Sequence, residues 1–442
     1  MNKPFIVVQG PVTTRSGYGN HTRDLVTALI KADKYDIHIV SLPWGHTPKN
    51  ALEPGNKDHD EIQKRIVTQN INRQPDVFIQ VSVPNEFQKV GKYNIGVTAG
   101  IETTIVSPEF VQGANNMDLL VTTSEHSKQG FLSAVFDKMN EKTKQKIGDL
   151  KLESPVEVLF EGADLDVYNK TSKILPSVKK ELDAIPNDFC YLFVGHWLSG
   201  NLGQDRKDIG MMIKTMCESF KRKSKQNRPA LVLKTSSATF SIIDRDAIMS
   251  KIRKLVEPYG DNAIDIYLLH GDLTDEEMNS LYNHPKMKSM VSFTKGEGFG
   301  RPLLEFSITG KPVIASNWSG HLDFLNKDYC TLLPGQLTQV DPSAADKFIL
   351  KEAKWFTVDY QYASRVLQDV TDRYKTYLEK SRKQTQYVKD NFSLEKMAEK
   401  FCSMVDKGLT NVPHAVSLNL PKLKKINSAP KLKLPKLKKV EL

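Results

Sequence analysis

The chain has 442 residues, which at roughly 100–200 residues per domain predicts two or three domains, each large enough for its own core. Hydrophobic residues make up 39% and charged residues 26%, which excludes a disordered chain and is ordinary for a globular protein. The net charge is +10, but residues 421–442 carry eight lysines and one glutamate, +7 in all. The remaining 420 residues therefore carry only +3, and the basic character belongs to the tail.

No run approaches the ~18 apolar residues of a membrane-spanning helix, and the N-terminus lacks the apolar core and cleavage site of a signal peptide. The four cysteines lie far apart, at positions where no pair has the spacing of a metal or redox motif. They predict free thiols in a reducing compartment, and so a cytoplasmic protein.

Short apolar runs alternate with amphipathic stretches along the chain. The first half predicts strands at 5–10, 36–42, 76–82, 93–99, 119–124 and 156–162, with a glycine-bearing loop after the first strand and a helix at 20–32. The pattern restarts near residue 188, with strands at 190–197, 230–236, 263–271, 288–295 and 311–317 and helices at 209–223 and 244–257. This rhythm predicts an α/β protein with two doubly wound, mostly parallel sheets, whose ligands bind at the carboxyl ends of the strands.

Four segments follow from this pattern. We predict a Rossmann-like domain at 1–187, a second at 188–375, helices at 376–410 that pack back on the first domain, and a tail at 411–442. The tail repeats a Pro-Lys-Leu-Lys pattern, and recurrent proline prevents a continuous helix. We therefore expect a flexible basic tail.

The strongest signal is the segment 296–320, GEGFGRPLLEFSITGKPVIASNWSG. Glu297 and Glu305 flank the turn Gly298-Phe299-Gly300, which follows a predicted strand and precedes a helix beginning near Pro302. Amides at such a helix start bind a pyrophosphate, and glycine lets the backbone approach it closely. Glu305 can then reach ribose hydroxyls, while Glu297 accepts hydrogen bonds from sugar hydroxyls.

This segment resembles the donor-binding signature of family 4 of the retaining glycosyltransferases, and stretches at 121–131, 157–168, 193–213 and 268–282 agree with that family in order and spacing. The resemblance implies a GT-B fold, with two Rossmann-like domains facing across a cleft. It implies that 1–187 binds the acceptor and 188–375 the nucleotide sugar, commonly a UDP-sugar. The acceptor hydroxyl would attack the anomeric carbon with retention of configuration. The chain is also similar in style to glycosyltransferases of tailed bacteriophages.

The same resemblance assigns the phosphate-binding residues. Lys207 matches the family's phosphate-binding lysine, whereas His196 stands where the family usually has arginine. The second cation is therefore open between Lys234, which could also be a solvated strand-end lysine, and Arg206, which as a neighbour of Lys207 could point away. Leu273 lies where family members hold the base through the backbone. The remaining residues expected to bind the donor are Glu297, Gly298, Phe299, Gly300, Leu303 and Glu305.

Candidate residues of the first domain follow its strands. Gly17 and Gly19 resemble the loop that approaches the donor phosphates, although a simple tight turn would look the same. Glu102 follows a strand at a place where family members often have an acidic residue or histidine, and we expect it to activate or orient the acceptor. Its alternative is a carboxylate that only offsets a helix dipole. His126 is the second acceptor-binding candidate, against a surface or capping role. The expected catalytic residues are thus Glu102, Lys207 and Glu297.

Two Asp-x-Asp strings, at 164–166 and 244–246, do not indicate a metal site, because one lies before the linker and the other at a predicted helix start. We expect a metal-independent enzyme with no cofactor beyond its donor substrate.

The prediction of the acceptor rests on the basic tail, the cytoplasmic character, the absence of membrane anchors and the similarity to bacteriophage enzymes. The lysines of the tail favour contact with a polyanion, which suggests transfer to a hydroxymethylated cytosine in DNA after base flipping. The rival is a polysaccharide or lipid-linked acceptor, with the tail on an anionic membrane surface. A sugar-nucleotide-binding protein without activity and a tail that serves only solubility are further alternatives. No pattern indicates an oligomeric state.

Overall fold

The computed structural model describes residues 3–69, 71–140, 142–237 and 240–412. The lysine-rich segment 421–442, on which the predictions of DNA and membrane contact rest, lies outside the described residues, as does the rest of the predicted tail after Val412. Within the described part, no helix is both long and apolar enough to cross a membrane.

The first half forms a six-stranded parallel sheet in the order β2-β1-β3-β4-β5-β8, with an antiparallel hairpin, β6-β7, beside it. Its strands are rich in Val and Ile and buried, as expected when helices cover both faces. The elements are β1 (Phe5–Gly10), α1 (Gly17–Ala32), β2 (Asp36–Ser41), α2 (Lys57–Arg65), β3 (Val77–Val81), β4 (Tyr93–Thr98), α3 (Pro108–Ala114), β5 (Leu119–Thr122), α4 (Glu125–Ser133), β6 (Val135–Met139), β7 (Lys146–Lys151) and β8 (Val156–Val158).

The second half repeats the plan, with the parallel order β11-β10-β9-β12-β13-β14 and an antiparallel pair, β15-β16. In both sheets the strand order reverses beside the first strand, and the crevice there is where doubly wound sheets bind ligands. The elements are α5 (Pro176–Asp183), β9 (Cys190–Val194), α6 (Ile209–Phe220), β10 (Ala230–Lys234), α7 (Ile242–Val256), β11 (Ile266–Leu269), α8 (Asp275–Asn283), β12 (Met287–Ser292), α9 (Arg301–Ser307), β13 (Val313–Ser316), β14 (Thr331–Leu333), β15 (Gly335–Gln339), β16 (Lys354–Val358) and α10 (Tyr360–Asp372).

Two C-terminal helices, α11 (Tyr374–Asn391) and α12 (Leu394–Thr410), connect the halves. Val388 of α11 belongs to a core cluster of the second half, whereas Phe401 and Met404 of α12 are buried in the core of the first. The chain thus crosses back to the first half after Phe392, and Tyr35 donates a 2.6 Å hydrogen bond to Asp406 there.

The two predicted parallel sheets are confirmed, whereas one local prediction was wrong and two antiparallel strand pairs were not predicted. The segment around Gly17 and Gly19 is not a loop: α1 already begins at Gly17, because Ser16 caps the helix by accepting a 2.9 Å hydrogen bond from the Gly19 amide. The pairs β6-β7 and β15-β16 were not predicted. The strands β6, β7 and β15 are largely exposed, so they lack the buried apolar runs that marked the core strands. The strand β16 is different, because its Trp355, Phe356 and Val358 are buried, and it was overlooked.

Candidate active site

Two charged residues of the second half meet at the carboxyl edge of its sheet. Lys207 lies in the loop between β9 and α6, and Glu297 follows β12, so neighbouring strands bring them together. The Lys207 ammonium contacts Oε1 of Glu297 directly. The amide of Glu297 donates a 2.9 Å hydrogen bond to the Ser319 hydroxyl, which fixes the backbone of the turn. Lys207 and Glu297, which the resemblance assigned separately to the donor site, are therefore in contact.

Arg206 completes this group and joins it to the first half of the chain. Its Nη1 lies 3.3 Å from Oε2 of Glu297 and 3.4 Å from Oε1 of Glu102, and it donates a 3.0 Å hydrogen bond to the carbonyl of Gly296. Arg206 therefore points to the same side as Lys207 and not away from it. The group thus contains two cations, Lys207 and Arg206, and two carboxylates, Glu297 and Glu102, of which Glu102 belongs to the first half of the chain.

The electrostatics of this group follow from burial and pairing. Burial alone would raise the pKa of Glu297, but Lys207 and Arg206 outweigh it and lower that pKa to about 2. Burial lowers the pKa of Lys207, and the nearby Glu297 partly offsets this effect. Glu297 is therefore ionised at neutral pH and bound to both cations.

The surroundings of His196 disfavour a positive charge. Burial, and then the positive charge of Lys207, lower the pKa of its imidazole. Its Nδ1 lies 3.1 Å from the Ser236 hydroxyl. Lys234 donates a 2.7 Å hydrogen bond to the carbonyl of Gly271 and lies over the ring of Phe240. The cations in contact with Glu297 are thus Arg206 and Lys207.

The glycine turn packs against the first half with no room for side chains. A Cβ atom at Gly296 would lie 1.9 Å from the carbonyl oxygen of Glu102, and one at Gly298 would lie 2.4 Å from that of Ala99. Thr123 donates a 3.3 Å hydrogen bond to the carbonyl of Gly298. The two halves are therefore in direct backbone contact beside the charged group.

Glu305 lies in a second buried group, around Arg301 in the first turn of α9. The Arg301 Nε donates a 2.9 Å hydrogen bond to Oε1 of Glu305, and the Tyr282 hydroxyl donates one of 3.2 Å to Oε2. Arg301 Nη1 also lies 2.5 Å from the Asp24 carboxylate on α1, and 4.0 Å from that of Glu161. Burial raises the pKa of Glu305 to about 7, although Arg301 opposes the shift.

The base side of the predicted donor site lies at the ends of β10 and β11. Leu273, predicted to hold the base through its backbone, has a side chain that is partly buried against the core. Nearby, His270 lies 2.8 Å from Asp244, which also accepts a 3.0 Å hydrogen bond from the Ser237 amide. This pairing explains Asp244 without a metal. Among the described residues, no group of three His, Cys, Asp or Glu side chains could hold a metal ion.

The remaining predicted residues have mixed surroundings. Phe299 and Leu303 are buried in the core, so only their backbone is available to a ligand. Gly19 is closely packed against Thr14, whereas a Cβ at Gly17 would meet no atom within 4 Å. His126 packs against Trp318 with ring centroids 4.6 Å apart, and burial lowers its pKa to about 4.

Arg301, Tyr282 and Asp24 are the site residues that the sequence analysis missed. Arg301 had a signal, because it precedes Glu305 by four residues and such pairs face each other on a helix. Asp24 had none, since its partner lies 277 residues away. Tyr282 lies on α8 and faces Glu305 only in the folded structure.

No protein-family model matches this sequence, and no curated protein matches it. The fold, however, is shared with solved structures. The chain is similar to a glycosyltransferase from Rickettsia africae (15% identity, 93% of this chain and 100% of that one, TM-score 0.57). It is similar to sucrose-phosphate synthase from Thermosynechococcus elongatus (14%, 92% and 99%, 0.61). A third similar structure is Anabaena HepE in complex with UDP and glucose (11%, 91% and 99%, 0.57). Together with the two parallel sheets, these likenesses show that the chain has the GT-B fold.

Proposed function

We propose that this protein is a glycosyltransferase of the family 4 type, which moves a sugar from a nucleotide sugar to an acceptor hydroxyl with retention of configuration. The observation that carries the proposal is the contact of Glu297 with Lys207 and Arg206 at the edge where both halves meet. A buried pair of cations beside a carboxylate suits a diphosphate linked to a polyhydroxyl sugar. The retaining outcome rests on the family resemblance.

The leaving diphosphate is the first ligand that this group would take. Lys207 and Arg206 would bind its oxygens and stabilise the negative charge that develops as the glycosidic bond breaks. Charge-assisted hydrogen bonds from such groups are about twice as strong as neutral ones. Glu297, released from its two cations, would then accept hydrogen bonds from hydroxyls of the transferred sugar.

The nucleoside would lie along α9 toward β11. Glu305, oriented by Arg301 and Tyr282, would accept hydrogen bonds from the ribose hydroxyls. The backbone near Leu273 would hold the base. We propose a UDP-sugar as donor, which the UDP complex of the similar Anabaena protein supports. Because α9 spans only seven residues, the diphosphate would depend chiefly on Lys207 and Arg206.

Glu102 is the acceptor-side residue of this proposal. It lies 3.4 Å from Arg206, so its carboxylate stands beside the cation that would hold the leaving group. From there it would orient the acceptor hydroxyl. His126 would assist from the neighbouring position, where its ring meets the backbone of residues 101 and 103. The catalytic contribution is thus positioning plus stabilisation of the leaving group, and we propose that neither a metal nor a covalent side-chain nucleophile takes part.

A donor screen tests the proposal. The protein is incubated with UDP-, GDP- and ADP-sugars, with and without EDTA, and release of nucleoside diphosphate is measured together with the anomeric configuration of any product. Turnover of one donor, unaffected by EDTA and lost in Glu297→Ala, is expected. Glu181→Ala, an exposed glutamate on α5, is the matched control. Neither transfer nor hydrolysis of any donor would favour a sugar-nucleotide-binding protein without activity.

For the acceptor we propose hydroxymethylcytosine in DNA, motivated by the lysine-rich tail and the similarity to bacteriophage enzymes, in the cytoplasm of a host cell. Hydroxymethylated and unmodified duplexes are offered with the donor, and the digested nucleosides are weighed by mass spectrometry. A sugar-sized mass gain on the modified base supports this acceptor. Donor hydrolysis without it, together with liposome flotation that requires residues 413–442, favours a lipid-linked or polysaccharide acceptor.

A further inference from the structure

Asp208, the residue after Lys207, has an unusual backbone. Its φ of 52° and ψ of 36° lie in the left-handed region, which residues other than glycine seldom adopt. It stands at the N-cap of α6, where aspartate is common because it accepts hydrogen bonds from helix amides. Here the side chain makes no such bond. Helix capping therefore does not account for an aspartate at this position.

The carboxylate of Asp208 is directed instead to Lys295. Its Oδ2 lies 3.4 Å from the Lys295 ammonium and accepts a 2.6 Å hydrogen bond from the Tyr360 hydroxyl. Lys295 also donates a 2.8 Å hydrogen bond to Thr357. The Asp208 and Lys295 side chains are 0% and 1% exposed. Because a buried ion pair rarely stabilises a fold more than apolar residues would, this pair indicates a role beyond stability.

Along the chain, the residues of this pair are close neighbours of the candidate active-site residues. Asp208 follows Lys207 in the loop that carries the cations, and Lys295 precedes Glu297 by two residues. The amide of Lys295 donates a 2.7 Å hydrogen bond to the carbonyl of Arg206, so the two segments already share a backbone contact. The ion pair is a further link between them, in addition to this backbone contact and to the hydrogen bond from Arg206 to the carbonyl of Gly296.

We infer that Asp208 and Lys295 are positioning residues, which hold the Lys207 loop against the Glu297 turn when substrate separates the two side chains. The inference rests on the proposed function. In the free protein, the Lys207–Glu297 contact and the buried pair both hold the two segments together. When the diphosphate binds Lys207 and the sugar binds Glu297, that contact is replaced, and the buried pair keeps the spacing of the two segments.

The test compares Asp208→Asn with the double variant Asp208→Asn/Lys295→Met. Asparagine tolerates the left-handed backbone and can still accept from Tyr360, so the single variant leaves Lys295 buried without the carboxylate of residue 208, with its hydrogen bond to Thr357 retained. The double variant contains neither charge, and we expect it to regain most of the thermal stability that the single variant loses. Affinity for UDP, measured by calorimetry, and kcat are nevertheless expected to stay about 10- to 100-fold below those of the parent, because misplacement of binding groups by about 1 Å has effects of this size.

Hydrogen exchange provides a readout that does not depend on turnover. Amides at 203–208 and 293–298 are expected to exchange faster in the stable double variant than in the parent. The matched control is Lys223→Met/Asp372→Asn, which removes an ion pair between Lys223, just after the C-terminus of α6, and Asp372, the last residue of α10. This pair lies far along both helices from Asp208 and Tyr360, so the control should leave both activity and these amides unchanged. A double variant with parental stability, exchange and UDP affinity would overturn the inference. A parent protein that binds no nucleotide would instead overturn the proposed function, and the exchange comparison would still decide the positioning role.

Discussion

The ion pair between Arg301 and Asp24 offers a direct test of how the two halves of the chain are held together. Arg301 lies on α9 and Asp24 on α1, and their closest atoms are 2.5 Å apart with side chains only 14% and 15% exposed. The same guanidinium contacts Glu305 and approaches Glu161. One cation thus serves three carboxylates, so its removal should cost more than the removal of any one partner.

The expected magnitudes follow from that imbalance. Arg301→Leu leaves Asp24, Glu161 and Glu305 buried without their cation, and we expect a loss of about 3–5 kcal/mol in the free energy of unfolding. Asp24→Asn removes one charge and leaves Arg301 with two carboxylates. Its cost should be nearer the 1.5–3 kcal/mol of a hydrogen bond to a charged group, roughly.

Urea unfolding followed by tryptophan fluorescence measures these losses, and small-angle X-ray scattering measures the separation of the halves. Both variants should enlarge the radius of gyration, with Arg301→Leu the larger change. Asp58→Asn, which removes an exposed ion pair with Lys31, is the control and should cost less than about 1 kcal/mol. Equal destabilisation by all three variants, with no change in size, would refute the reasoning.

Further predictions concern the donor site itself. Arg206→Ala should reduce kcat/KM by about 100-fold or more, the effect of losing one charge-stabilising donor, whereas His196→Ala should reduce it far less; steady-state kinetics that reverse this order would return the second cation to His196. Gly298→Ala should abolish activity and enlarge the radius of gyration, because its Cβ would lie 2.4 Å from the carbonyl oxygen of Ala99; normal kinetics would show that the turn is looser than described. Burial raises the folded-state pKa of Glu305 from 4.5 to about 7, so it contributes stability that is complete below pH 4.5 and lost as the pH rises to about 7. In Glu305→Gln the decline in unfolding free energy between pH 4.5 and pH 7 should be smaller than in the parent by about 3 kcal/mol, which corresponds to a pKa shift of about 2.5 units. If urea unfolding gave the same dependence of the unfolding free energy on pH for parent and variant, the raised pKa of Glu305 would be contradicted.

The sequence by itself determined the fold class and supplied most of the residues of the proposed donor site. The Val- and Ile-rich strand runs predicted two parallel sheets, because only strands covered on both faces are continuously apolar. Glu297, Lys207 and Glu305 could be found because each lies within a local motif next to a strand or helix end. The strands β6, β7 and β15 were missed for the opposite reason, since they are largely exposed and carry no such pattern, whereas the buried and apolar strand β16 was overlooked.

Only the tertiary structure decided how separate motifs meet. Whether Arg206 or Lys234 would join Lys207 depended on the path of the loop before α6, which no local spacing fixes. The contacts of Arg206 with Glu102, and of Arg301 with Asp24, join residues 104 and 277 positions apart. The left-handed backbone of Asp208 likewise became interpretable only with Lys295 beside it. Local sequence specifies an element through its neighbours along the chain, whereas charge pairing across the cleft depends on how the two sheets are placed by the packing of α11 and α12.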